Sequence, residues 1–439
     1  MPFDLPPVPT ARIARPDLSA WLGRIRGMSV SLGARGLEAA AKFCLYALAA
    51  RELGGHDAGR FFLALGVIQI VSTVARLGME KPVTRHVAAE LAVGDVGAAR
   101  KAAVTAGGAI LIASSAAGLL LAVAAPVMAR HWTGQADMAL PLMLAALIVP
   151  IQNLAFAVAY ILIGLERGAA GQMVMNALPP VLSLAALCLG ADSLGGLLIA
   201  YAGSFGICAL LGAGLVVTTR WSRRHPHTDP TVALPGLWRG ARRLMVVDVS
   251  QAALITIPVL VLGAFAASEA VSVFSLCNRL AMLVTIVVLS LGAMSAPHFA
   301  RHHRLADWEA LRAAAVDNRR VTVALCLPLI VALGLGAGPL LGLLNVPADQ
   351  GTPVLLILLA GQLAYCLFPS RDLLLAMAGE ERILRRISLI QLVFCLALCV
   401  ALTPPFGAVG AALASTCIWI GGALAVNGAA RRRLPQLGL

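Results

Sequence analysis

Apolar runs of membrane-spanning length follow one another along almost the whole chain, and no other feature narrows the fold as much. A helix needs about 20 apolar residues to cross the hydrocarbon of a bilayer. In the first half such runs occupy Met28–Ala50, Arg60–Leu77, Ala102–Met128, Met138–Leu165, Gln172–Leu189 and Leu194–Thr218. In the second half they occupy Leu244–Ala267, Ala270–Ala296, Val321–Leu344, Val354–Ala376, Ile387–Leu402 and Ala408–Asn427. Backbone in lipid must satisfy its own hydrogen bonds, so runs of this kind become helices. The expected fold is therefore an all-α membrane protein with twelve transmembrane helices. Of 439 residues, 59% are hydrophobic and 13% are charged, about half the charged share of a soluble domain.

The formal charge of +13 is spread over short loops rather than gathered in one solvated patch, so nucleic acid is not an expected partner. Arg12, Arg15, Arg24 and Arg26 precede the first span, and Lys81, Arg85, Arg100 and Lys101 follow the second. Arginines cluster again after spans six, eight, ten and twelve, whereas the other side carries only Arg51, Arg60 and Arg130. The positive-inside rule then places both termini in the cytoplasm. Residues 1–27 form a cytoplasmic segment without the apolar core of a cleavable signal, so the first span serves as the insertion signal. Residues 219–243, with Pro226, Pro230 and Pro235, read as a linker between an N-lobe (28–218) and a C-lobe (244–427), followed by a tail (428–439). The stretch Arg304–Arg320 places Leu305, Trp308, Leu311 and Ala315 at helical spacing, as an interfacial amphipathic helix or a solvated loop helix would.

The halves repeat. Gly164-Leu165-Glu166-Arg167 recurs as Gly379-Glu380-Glu381-Arg382, and Ser193-Leu194-Gly195-Gly196 faces Ala408-Val409-Gly410-Ala411 at the same offset. Six spans per copy give both copies one orientation, which makes them pseudo-symmetric lobes about an axis along the membrane normal. Two such lobes rocking about a central cavity is an alternating-access design.

Enzyme chemistry is not expected. The chain lacks a phosphate-binding G-x-x-x-x-G-K-[ST] loop, an H-E-x-x-H helix and a serine nucleophile elbow. Its nine cysteines all fall in apolar segments and no C-x-x-C occurs, so neither metal nor redox cofactor is expected. The histidines lie in loops or at interfaces, and His302-His303 reads as a basic edge facing headgroups.

Ionisable side chains inside the spans carry the functional argument. A cation at a helix centre costs about 2.5–3.5 kcal/mol even on a lenient insertion scale. In span one, Arg35, Glu38 and Lys42 lie three and four apart on one helix face. That stripe is either a cavity lining with net positive charge or a self-neutralising cluster between helices. Arg76, near the cytoplasmic end of span two, either faces the cavity or snorkels to the headgroups. Arg279, beside Asn278, lies too deep in span eight to snorkel easily and reads as cavity lining. Asp248, early in span seven, is a candidate counter-ion for one of these arginines, with Gln251 one turn on as polar lining. Glu38 and Asp248 are the candidate acids for proton or sodium coupling. Arg371 and Asp372 are adjacent and read as a local structural pair. The expected substrate-binding cations are thus Arg35, Lys42, Arg76 and Arg279, and a cavity lined by them suits an anionic cargo.

Three landmarks carry a family resemblance. The first is Ala50-Arg51-Glu52-Leu53-Gly54-Gly55 through Ala58-Gly59-Arg60-Phe61, then Arg76-Leu77-Gly78 and Thr84-Arg85-His86. The second is Val271-Ser272-Val273-Phe274 with Arg279-Leu280-Ala281; the third is Gly379-Glu380-Glu381-Arg382 with Pro404-Pro405-Phe406-Gly407. In order and spacing the sequence resembles the prokaryotic polysaccharide exporters and lipid-linked oligosaccharide flippases of the multidrug/oligosaccharidyl-lipid/polysaccharide exporter superfamily. The resemblance implies two six-helix lobes in a V, with spans one, two, seven and eight lining the groove. It implies that Arg35, Arg76 and Arg279 meet the cargo's pyrophosphate; Lys42 has no matched place. The two additional C-terminal helices of lipid II flippases have no counterpart, which implies an O-antigen, capsule or exopolysaccharide unit on undecaprenyl pyrophosphate. The implied location is a bacterial inner membrane. The implied partners are that lipid-linked oligosaccharide, membrane lipids, and a polysaccharide polymerase or chain-length regulator. The alternative in the same superfamily, a cation-coupled multidrug exporter, would favour acidic or aromatic cavity residues, and aromatics are 5% of this chain. A membrane glycosyltransferase would need a long acidic outward loop, which is missing here; a non-transporting scaffold is the remaining alternative.

Overall fold

The computed structural model describes residues 18–219, 221, 236–304, 307–369, 371–377 and 381–433. The linker prolines, the Gly379-Glu380 landmark and the end of the tail lie outside the described residues. The first half comprises α1 (Leu18–Ala75), α2 (Glu80–Ala92), α3 (Val96–His131), α4 (Ala139–Gly164), α5 (Gly168–Gln172), α6 (Leu178–Cys188) and α7 (Leu194–Thr218). The second comprises α8 (Leu237–Phe265), α9 (Ser268–Arg304), α10 (Trp308–Leu335), α11 (Ala337–Leu343), α12 (Ala348–Leu367), α13 (Arg371–Met377) and α14 (Glu381–Arg433). No strand occurs among the described residues.

Ten helical stretches among the described residues are long and apolar enough to cross a membrane. Two of them are interrupted. In α1, Gly54 has φ 73° and ψ 167°, a conformation essentially confined to glycine. In α14, Gly407 breaks the helix with φ 55° and ψ −130°, just after Pro404 and Pro405. Each glycine falls in the gap between two of the expected spans, so each break separates two apolar runs. Between α5 and α6 the helix widens into a π turn at Met173–Ala177. Pro179 and Pro180 follow directly; they supply no amide hydrogen and crowd the carbonyls four residues back, which the wider turn accommodates.

Lipid inverts the usual burial pattern. On α3 the buried positions are mostly small: Ala99, Ala103, Ala106, Ser114, Gly118, Ala125 and Ala129. The large Ile112, Leu119, Leu120 and Val123 are exposed. Small residues let backbones approach, which drives packing where hydrocarbon offers no hydrophobic gain. A β-carbon on Gly118 would sit 2.6 Å from the Ala146 carbonyl oxygen of α4.

Within the stretch expected as an interfacial or solvated loop helix, residues 308–320 form the opening of α10, continuous with the span beyond. Asp307 caps it by accepting from the Ala310 amide at 3.1 Å. Leu311 and Ala315 share a core with Phe299 of α9 and Leu374 of α13. The apolar face buries against protein and needs no membrane surface. The first half repeats the device: Asp95 accepts from the Ala98 amide at 2.8 Å to cap α3, and Ala99 and Ala103 bury against Val83 and Val87.

The halves meet along α1, which packs on α8 and α9, while α2 also reaches α8. One apolar core joins Leu45, Phe61 and Ile68 of α1 to Phe274, Leu280 and Val284 of α9.

Candidate functional site

The junction of α1 with α9 holds an arginine. Arg279 follows a buried run from Val271 to Cys277 on α9 and is itself half-buried. Its guanidinium carbon lies 4.3 Å from the centroid of the Tyr46 ring on α1. A cation over an aromatic face gains about 1 kcal/mol where, as here, it is only partly desolvated. Tyr46 is held by Phe62 at 5.6 Å and Phe61 at 6.5 Å between ring centroids. Tyr201 of α7, edge-on to Phe205 at 5.1 Å, is near enough for Tyr46 and Arg279 to act on it electrostatically. Among the described residues no carboxylate pairs with Arg279.

Two of the other expected cations, Lys42 and Arg76, are paired. Lys42 donates to Glu38 at 2.6 Å. Arg76 is buried at the end that carries the termini. Its Nε donates to Glu80 at 2.6 Å, Nη1 to Asn153 Oδ1 at 3.2 Å and Nη2 to Thr73 Oγ1 at 3.0 Å. Phe156 of α4 covers it at 4.8 Å, and Asn153 donates in turn to the Ser72 carbonyl at 3.1 Å. Arg76 thereby ties α1, α2 and α4 together. Glu80→Gln is expected to lower stability by about 2 kcal/mol, because a charged donor is left with a neutral acceptor. The check is a lower thermal midpoint in detergent at unchanged membrane insertion.

Among the described residues Asp248 of α8 pairs with Lys81 of α2 at 3.2 Å, with Arg76 near enough to act on it electrostatically, and the bond to Lys81 crosses the halves. Gln251 is exposed one turn on, and Asn278 is half-buried, its Nδ2 4.0 Å from Met282 Sδ. The Arg35 side chain lies outside the described residues.

The opposite end is closed by contacts across the halves. His56 Nδ1 of α1 lies 3.0 Å from Glu269 Oε1 of α9. Ser268 donates to Gln135 Oε1 at 2.9 Å. Within the first half at this end, Arg60 donates to Asp57 at 3.2 Å and to Asp137 at 3.1 Å. Gly59 lies so tightly against Ser268 that a β-carbon there would collide with its carbonyl.

Sequence reasoning passed over Tyr46, although it stands four residues after Lys42 and so continues the Arg35–Glu38–Lys42 face. It passed over Glu80, four residues after Arg76. His56 and Glu269 stand 213 residues apart, and no spacing rule reveals such a pair.

The fold is that of known transporters. An inward-facing multidrug resistance MATE family transporter of the MOP superfamily matches with a TM-score of 0.74 at 15% identity, over 91% of this chain and 95% of that one. The lipid II flippase MurJ, in an inward closed conformation, matches at 0.72 and 12% identity, over 90% and 86%. An outward-facing MATE family transporter of the MOP superfamily matches at 0.63 and 15% identity, over 94% and 96%. No curated protein sequence matches the chain. The family described as polysaccharide biosynthesis protein matches residues 25–303, well over half of the sequence. With that match and its many apolar helices, the chain is a multi-pass membrane protein that belongs to the polysaccharide biosynthesis protein family.

Proposed function

We propose that this protein flips an undecaprenyl-pyrophosphate-linked oligosaccharide from the inner to the outer leaflet of a bacterial inner membrane by alternating access. The unit is of O-antigen, capsule or exopolysaccharide type. One observation carries the reading: Arg279 stands at the junction of the halves, presented by Tyr46 at 4.3 Å and without an acidic partner among the described residues. A cation kept there at the cost of burial suits a phosphorylated headgroup. The pyrophosphate docks on Arg279, with Arg35, expected from the sequence alone, as second cation; the glycan fills the cavity and the polyprenyl tail stays in lipid. Lys42 and Arg76, paired with Glu38 and Glu80, shape the cavity wall. With both termini cytoplasmic, outward movement of negative charge runs downhill, by about 2.3 kcal/mol per charge per 100 mV. Proton or sodium coupling falls to Glu38 or to Asp248, whose bond to Lys81 must break when the halves part at that end. A polymerase or chain-length regulator takes up the product.

Deleting the gene is expected to leave lipid-linked glycan on the cytoplasmic leaflet, and the wild-type gene should clear it. Normal glycan export with new sensitivity to cationic dyes would instead indicate a multidrug exporter.

A further inference from the structure

Arg371 is buried at the start of α13, and its Nη1 has no hydrogen-bond partner among the described residues. Asp372, expected as its partner, is exposed, and no carboxylate pairs with Arg371 among the described residues. The neighbours that act on it electrostatically are Arg319 of α10 and Arg431 of α14, both exposed. The position is firm: three residues on, Leu374 shares a core with Phe299 and Leu311, and α13 packs on α14 and α9.

This arrangement contrasts with the other buried arginine at the same end of the molecule. Arg76 has Glu80, Asn153 and Thr73 on its donors. Arg371 has two more cations instead. An uncompensated buried charge costs several kcal/mol, and like charges nearby add to it. An anion with several oxygens removes both penalties. Guanidinium groups meet phosphate through parallel N–H···O bonds, so three of them from three helices make a phosphate cradle. By the distribution of Lys and Arg this end faces the cytoplasm, where the phosphates of the inner leaflet lie.

We propose that Arg371, Arg319 and Arg431 form a second anion site, away from Arg279, that takes a phosphate group at the end carrying the termini. The phosphate belongs either to the headgroup of an anionic bilayer lipid or to an ion free in solution. In the first case the site anchors the second half to the leaflet.

The test uses the full chain purified in detergent. Its thermal midpoint is measured with phosphatidylglycerol, with phosphatidylcholine, whose choline offsets the phosphate charge, and with inorganic phosphate. Phosphatidylglycerol is expected to raise the midpoint more than phosphatidylcholine does. The double variant Arg319→Gln/Arg431→Gln, changed only at exposed positions, should lose most of that rise, with apparent affinity about tenfold weaker. Arg371→Gln should lose it as well, and the double variant decides if Arg371→Gln does not fold. A rise with phosphatidylglycerol alone assigns the site to a headgroup; a rise with inorganic phosphate that the double variant loses assigns it to a free ion. Equal responses of wild type and double variant, or none in the wild type, would overturn the site. Glycan export is not the readout, so this result stands apart from the fate of the flippase reading.

Discussion

Arg279→Gln is expected to abolish glycan export while the protein still inserts at the wild-type level. Arg279 has no acidic partner among the described residues, so its neutralisation strands no carboxylate and costs the fold little. The loss falls on the cargo. Hydrogen bonds to a charged group contribute about 1.5–3 kcal/mol each, and a guanidinium offers two to a phosphate. Losing both weakens docking by at least about a hundredfold. Arg279→Lys keeps the charge but neither the planar fork nor the stacking on Tyr46, so it should restore export only in part. Tyr46→Phe keeps the ring beneath the guanidinium and should stay near wild type. The readout is the share of lipid-linked glycan on each leaflet. Full export by Arg279→Gln, also in combination with Arg35→Gln, would remove the docking role.

The second large effect is expected at Gly59. A β-carbon there would overlap the Ser268 carbonyl, and a backbone carbonyl cannot swing aside as a side-chain tip can. Gly59→Leu should therefore oppose closure of this end by about 3 kcal/mol, enough to shift a two-state equilibrium roughly a hundredfold. The protein would dwell with this end open and turn over slowly. With the exposed Cys44, Cys188 and Cys417 replaced by serine, labelling of a cysteine placed at Gln135 by a membrane-impermeant thiol reagent should rise in Gly59→Leu and stay low in the parent, because this position lies against Ser268 in the closed form. Equal labelling would show that this contact does not gate the end.

The apolar runs announced the helices because lipid leaves backbone no other solution, and Gly54 and Gly407 fall where the runs part. Pairings within one helix were also within reach: Lys42 meets Glu38 one turn back, as spacing suggests. What covers the opening of α10 was not legible for a physical reason. An apolar stripe looks the same whether it faces headgroups or protein, and the residues that cover it, Phe299 and Leu374, belong to other helices. Partners across the halves, Tyr46 for Arg279, Lys81 for Asp248 and Glu269 for His56, depend on how two bundles dock. No periodicity along a single chain records that.

The guanidinium and its ring belong to different halves of the molecule. On the proposed reading, grip on a ligand at Arg279 varies with shape: it is whole while α1 and α9 are docked, and wanes as they separate. Letting go then requires no competitor and no chemical change in the cargo. On that reading, the motion that exposes the far leaflet also loosens the hold.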